Sequence, residues 1–261
     1  MFIDAHCHLI YKESSQNIPE HLAAINQLMQ ENNLDYIVSN TSTPDYFHLI
    51  EHEKKYPKIL SAIAINRNLA KDRSKHQEYL KLLRTNVEKY NPEAIGEVGL
   101  DYYAEITPDY APKAQQYILE QEILLAKEFD LPLVIHSLYS DADLLAILRK
   151  HHAEEMRVHI HGTQITQEFS QDFIDMGFYF SLSYYHHFDE PDMVFWIDKI
   201  PFDHLLFETD SPYAYSVKNK KGASNSADVI SNYNLYCEKT GKKIDTVIEQ
   251  VSNNFKRFYR L

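Results

Sequence analysis

Six side chains of metal-ligand type stand at, or just past, the ends of strand-like apolar runs. His6 and His8 close Phe2-Ile3-Asp4-Ala5-His6-Cys7-His8, Glu97 lies in Ala94-Ile95-Gly96-Glu97-Val98-Gly99, and His136 ends Leu133-Val134-Ile135-His136. His161 ends Val158-His159-Ile160-His161, and Asp210 ends Leu205-Leu206-Phe207-Glu208-Thr209-Asp210. Four imidazoles and two carboxylates suit a pair of divalent ions better than one, because a single catalytic zinc usually takes only three protein ligands. Imidazoles favour zinc or another late transition ion, whereas carboxylates and water also admit manganese or magnesium.

Ligands drawn from successive strand ends converge only if the strands share a rim, as in a (β/α)8 barrel. The chain has eight strand candidates, at 2–6, 34–39, 59–65, 93–98, 132–136, 157–161, 178–183 and 205–209. Helical spacing fills the intervals: Ile18–Asn32, Pro44–Tyr56, Ser74–Tyr90, Pro112–Phe129, Asp141–His152, Thr166–Met176 and Asp189–Ile200, with Ala227–Thr240 and Ile244–Phe258 at the end. Pro112 and Pro191 are placed as first-turn prolines, and Gly177 as a helix stop. Strand-helix alternation kept up throughout predicts parallel βα units, an α/β fold of TIM-barrel type. The 261 residues show no linker or repeat, so 1–261 reads as a single domain.

Composition narrows the function. With 44% hydrophobic and 25% charged residues the chain is ordinary for a globular protein, and it lacks any apolar run of about 18 residues that would cross a membrane. A net charge of -12 argues against holding nucleic acid tightly over a broad basic surface. It does not exclude a nucleic-acid substrate, because bound dications reverse the local field. Two cysteines do not make a disulfide framework, and Met1-Phe2-Ile3-Asp4 carries no secretory pattern, so a cytoplasmic location is expected. Oligomeric state is not legible.

Each candidate has a plainer reading beside the functional one. Alternation on a strand sends Asp4, His6 and His8 to one side and Cys7 into the core, so that Asp4 is placed to hold an imidazole from behind; alternatively, two polar residues simply close the strand. A carboxylate at Glu97, in a strand buried on both faces, wants a cation or a hydrogen-bond network, and it can bridge two ions with one oxygen to each. An arginine across the barrel would satisfy it equally. The glycines around it allow close backbone approach. His136 gains weight only from its place in the series. His159 and His161 share a face, and His161 is favoured because it lies nearer the C-terminal end of its strand. Asp210 either caps a Ser-Pro turn or ligates and takes a proton from the attacking water. His21, His48, His52, His76, His151 and His152 lie on helical stretches and are expected to be solvated, whereas His186 and His187 follow the seventh strand and are only secondary candidates for the site lining. Lys218, Lys220 and Lys221 follow the eighth strand, where this fold often binds phosphate, or form a solvated loop.

Together these segments resemble the TatD family of metal-dependent hydrolases, of the amidohydrolase-like barrel superfamily. The resemblance runs through Asp4-Ala5-His6-Cys7-His8-Leu9, Ile95-Gly96-Glu97-Val98-Gly99-Leu100-Asp101-Tyr102-Tyr103 and Leu131-Pro132-Leu133-Val134-Ile135-His136-Ser137. It continues in Leu205-Leu206-Phe207-Glu208-Thr209-Asp210-Ser211-Pro212-Tyr213 and in Asn254 ahead of Lys256-Arg257-Phe258. It implies a metal-dependent phosphodiesterase or DNase. It also implies that His6, His8, Glu97 and Asp210 hold one ion, and that Glu97, His136 and His161 hold the other.

Three segments depart from the family pattern. Asn66 stands near the histidine of the usual Gly-x-His-Pro, His161-Gly162-Thr163-Gln164-Ile165 replaces His-Cys-Phe-Ser-Gly, and Ala223-Ser224-Asn225-Ser226-Ala227 replaces the Arg-Asn-Glu-Pro segment. All three fall where substrate would touch. Hydrolysis of DNA through a dinuclear metal-activated water, with Asp210 and Glu97 as the catalytic carboxylates, is thus the leading expectation. The alternatives are a two-metal hydrolase of an ester, amide or lactone, and a metal-binding protein without turnover.

Overall fold

A computed structural model of the chain describes residues 1–103, 111–163, 165–183, 191–213 and 224–261. Eight parallel strands follow one another in sequence order around a single sheet: β1 (Phe2–Cys7), β2 (Leu34–Thr41), β3 (Ile59–Ile63), β4 (Ala94–Asp101), β5 (Leu133–Leu138), β6 (Val158–Ile160), β7 (Tyr179–Leu182) and β8 (Leu205–Phe207). Parallel neighbours need crossover connections, and helices supply them. These are α1 (Ile18–Glu31), α2 (Ile50–Glu53), α3 (His76–Tyr90), α4 (Pro112–Glu128), α5 (Asp141–Lys150), α6 (Gln167–Asp175), α7 (Pro191–Lys199), α8 (Val229–Thr240) and α9 (Ile244–Tyr259). The architecture is the expected (β/α)8 TIM barrel.

The barrel closes at the rim where the ligands were expected. Asp210 donates its backbone N–H to the His6 carbonyl at 2.9 Å, and His8 donates to the Ser211 carbonyl at 2.7 Å. These two bonds join the end of β1 to the chain just past β8, so they fix His6, His8 and Asp210 relative to one another before any side chain is considered.

Ile3, Ala62, Ile95, Val134, Ile160 and Leu206 are all buried whichever face of their strand they occupy, as strands covered by helices on the outside require. Pro112 and Pro191 open α4 and α7, and Gly177 follows α6 with φ +72.

One expected helix is not formed as such. Over 44–56 the chain runs as a 3-10 segment, Pro44–Leu49, followed by the single turn of α2. Pro44, Phe47, Ile50 and Glu53 are the buried positions, spaced by three, which matches the three-residue turn of a 3-10 helix rather than the 3.6 of an α-helix. His76, expected to be solvated, is buried instead, and a ring nitrogen bonds the Ala70 carbonyl at 2.5 Å.

Candidate metal centre

Glu97 organises the centre. The register of β4 against β5 shifts between Gly96 and Val98, and such an irregularity re-aims the residue it contains. The flanking glycines are required there. A Cβ on Gly96 would lie 2.6 Å from the Val134 Cβ, and one on Gly99, at φ +136, would lie 2.0 Å from the His136 carbonyl oxygen. β4 and β5 therefore approach more closely than side chains would permit, which places Glu97 beside His136.

The two oxygens of Glu97 face different imidazoles. Oε2 is 3.5 Å from His8 Nε2 and 3.8 Å from His6 Nε2. Asp210 Oδ1 completes that side, 3.2 Å from His8 Nε2 and 3.5 Å from His6 Nε2. Oε1 is 3.1 Å from both His136 Nδ1 and His161 Nε2, and those two nitrogens are 3.2 Å apart. Ligand atoms around a tetrahedral ion at metal–nitrogen distances of about 2.0–2.1 Å lie roughly 3.4 Å apart, so both sides have coordination spacing. His6 is fully buried, and neither ring nitrogen has a hydrogen-bond partner among the described residues. An imidazole left so costs free energy unless something else takes its lone pair, and a cation among these carboxylates fits.

The ring orientations are set from behind. The His8 Nδ1–H donates to the Asn40 carbonyl at 2.8 Å, leaving the Nε2 lone pair aimed at Asp210 and Glu97. His161 Nδ1 is 3.3 Å from Glu208 Oε1, Glu208 Oε2 accepts the Ser181 hydroxyl, and the Ser181 oxygen is 2.7 Å from His159 Nε2. His159 is therefore the far end of a buried chain that orients His161, one layer below the centre. His6 packs its ring against that of His161, centroids 4.0 Å apart. His6, His161 and Glu208 also lie close enough to hold an ion among themselves.

Asp101, Arg67, Asn40 and Glu208 also touch these side chains, and their contacts do not follow from strand-end position. Asp101 and Glu208 carried the signal that exposed Glu97, a carboxylate within an apolar strand. Arg67 donates from Nη1 to Glu97 Oε1 at 2.9 Å, and its Nε is 3.4 Å from Asp101 Oδ2. The expectation for Asp4 is corrected. Its carboxylate accepts the Thr209 N–H at 2.9 Å and the Thr209 hydroxyl at 2.7 Å rather than an imidazole, because β8 brings Thr209 against it. Cys7 is core, its Sγ 3.4 Å from the Val38 carbonyl. Lys218, Lys220 and Lys221, like His186 and His187, lie outside the described residues.

Charge balance follows from this packing. Burial pushes the Glu97 carboxyl up, but Arg67 and His161 beside it outweigh that and hold it well below the usual range. Burial acts the same way on Asp210 and is outweighed by His6 and His8, so it too stays ionised. Both carboxylates thus present negative oxygens to the space between the imidazoles. A cavity of about 420 Å³ opens above them, with Tyr11, Lys12, Tyr46, Arg67 and Tyr213 in its wall. Tyr213 is 64% exposed and meets the His8 ring edge to face, centroids 4.9 Å apart, so an aromatic surface adjoins the ligands.

Residues 3–260 match the family model described as TatD related DNase. An uncharacterized metal-dependent hydrolase of Haemophilus influenzae is 28% identical over 275 residues, with all of both chains covered. Among solved structures, YjjV, a TatD homolog from Escherichia coli, superposes with a TM-score of 0.85 at 22% identity, covering 100% of this chain and 98% of that one. A TatD-family hydrolase from Entamoeba histolytica gives 0.83 at 19% identity, covering 99% and 97%.

Proposed function

The chain belongs to the TatD family of metal-dependent hydrolases, and from that premise we propose that it cleaves phosphodiester bonds of DNA with two divalent ions held on either side of Glu97. The observation that supports this most is the division of the Glu97 carboxylate, with Oε2 toward His6 and His8 and Oε1 toward His136 and His161. In this reading His6, His8 and Asp210 hold one ion with Oε2, and His136 and His161 hold the other with Oε1. Zinc suits the imidazoles, and manganese or magnesium suits the carboxylates.

Bound there, the ions would acidify the attacking water and offset charge on the attacking and leaving oxygens. The protein supplies the remainder. Asp210, ionised and with its side chain 28% exposed to the cavity, accepts the proton of the attacking water. Glu97 holds the two sides in fixed relation and so serves the reaction as a bridge. Lys12 and Arg67 place positive charge around a substrate phosphate, while Tyr213 and Tyr46 offer faces on which a base can stack. Lys218, Lys220 and Lys221, close together in sequence after β8, are proposed as further substrate contacts.

Nucleic acid is on this reading a substrate and not a tightly held partner, which the net charge of -12 supports. No helix among the described residues is long and apolar enough to cross a membrane. Cys7 and Cys237 are both free, which supports a reducing, cytoplasmic setting. The test is hydrolysis of a DNA oligonucleotide and bis-p-nitrophenyl phosphate against p-nitrophenyl acetate, in zinc or manganese, with Asp210→Asn as control. Phosphodiester cleavage that Asp210→Asn abolishes supports the reading. Turnover of the ester alone transfers the centre to carbonyl chemistry, and no turnover of anything with metal bound leaves a binding protein.

A further inference from the structure

Arg67 touches the centre without belonging to its ligand set or its proton transfer. It follows β3, its side chain is only 18% exposed, and it lines the cavity. Its hydrogen bond, 2.9 Å from Nη1, goes to Glu97 Oε1, the oxygen on the His136 and His161 side. Glu97 Oε1 thereby has three nitrogens within 3.1 Å. Two are imidazole nitrogens, which have lone pairs to offer when neutral. The third belongs to a guanidinium, which has none and keeps its proton at any working pH. Arg67 cannot become a ligand, and its charge is permanent.

We propose that Arg67 is a built-in cation on the His136 and His161 side of the centre, so that the ion on this side binds more weakly than the ion held by His6, His8 and Asp210. The inference rests on the two-ion reading above. Like charges sharing one carboxylate oxygen repel, and the repulsion is strong where burial lowers the effective dielectric. Glu97 Oε1 must also divide its negative charge between the guanidinium and the ion. Asp101 keeps the guanidinium in this place, because its Oδ2 is 3.4 Å from Arg67 Nε and 3.5 Å from His136 Nε2. On the other side, Oε2 is shared between His8 and His6 with Asp210 as a second carboxylate beside the same nitrogens, whereas on this side the second carboxylate, Asp101, is engaged by the guanidinium. The centre is thus asymmetric, with one resident ion and one exchangeable ion.

Calorimetric titration of the metal-free full chain with zinc or manganese, with bound ions counted by elemental analysis, tests this. The wild type is expected to load in two steps, the second weaker by at least about tenfold, or about 1.4 kcal/mol. Arg67→Met and Arg67→Gln should strengthen the second step by about tenfold and leave the first unchanged, since both remove the charge and glutamine keeps a donor for Glu97. Arg67→Lys keeps the charge and should keep the gap. Two steps whose spacing neither neutral variant changes would overturn the role of Arg67 and leave two ions standing. A single ion in wild type and variants alike would overturn the two-ion reading and this inference with it.

Discussion

Replacing Glu208 with glutamine keeps the volume of a fully buried side chain and removes its charge. The carboxylate has two partners that matter here: His161 Nδ1, 3.3 Å from Oε1, and the Ser181 hydroxyl on Oε2. The Ser181 bond survives if the amide oxygen takes that position, but the amide NH2 then meets His161 Nδ1–H donor to donor. Either His161 shifts its proton to Nε2, which removes the lone pair aimed at Glu97 Oε1, or the amide flips and breaks the Ser181 bond. Loss of such an outer carboxylate typically weakens metal binding by about 10–100-fold, or about 1.4–2.7 kcal/mol. Because His161 is placed on the His136 side, the loss should fall on the ion of that side. Chelator competition against wild type and Glu208→Gln, with Ser181→Ala as a milder break in the same chain, measures it. Affinity unchanged within about threefold in Glu208→Gln would refute the view that Glu208 orients His161 for coordination.

Asp210→Asn should lower phosphodiester turnover by about 10²–10⁴-fold, as loss of a proton acceptor does, with metal counts showing whether the loss is chemical or only one of binding. Gly99→Ala should destabilise the fold by roughly 3 kcal/mol or more, because φ +136 and a 2.0 Å approach to the His136 carbonyl leave no place for a methyl group; chemical denaturation reads it, and a near-wild-type midpoint would contradict the packing of β4 on β5. Glu122, on α4, is buried with the Ile65 N–H 2.7 Å from its Oε1, and burial pushes its carboxyl up to about 8. The folded state therefore holds a proton that the unfolded chain has released, and stability falls as pH rises from the unfolded value near 4.5 to about 8. Glu122→Gln keeps an acceptor for Ile65 and removes that slope, so its advantage over wild type in denaturant should grow with pH by up to roughly 5 kcal/mol; parallel stability profiles would count against it.

The convergence of these six side chains was legible in the sequence because a barrel converts strand ends into a rim, and because a carboxylate such as Glu97 in an apolar strand needs a partner. His161 over His159 was legible from position, but the reason was not: β6 is only Val158–Ile160, so His159 sits inside the barrel, where Ser181 and Glu208 make it a support. Asp4 misled because its partner, Thr209, is 205 residues away and meets it only when β8 closes on β1. The 3-10 geometry over 44–49 was present in the spacing of Pro44, Phe47 and Ile50, but Glu53, polar yet buried and accepting the Ser61 hydroxyl at 2.6 Å, hid the pattern. An arginine partner was one of the two readings of Glu97, but nothing singled out Arg67, since a basic residue in a loop is usually solvated and only the fold brings it onto Glu97.

Whether Glu97 joins two ions is read out by an anomalous-scattering map from crystals grown with zinc or manganese. Two peaks are expected, one within coordination distance of His6, His8, Asp210 and Glu97 Oε2, the other of His136, His161 and Glu97 Oε1. A single peak, or two peaks with Glu97 bound to neither or to one alone, would contradict the bridge.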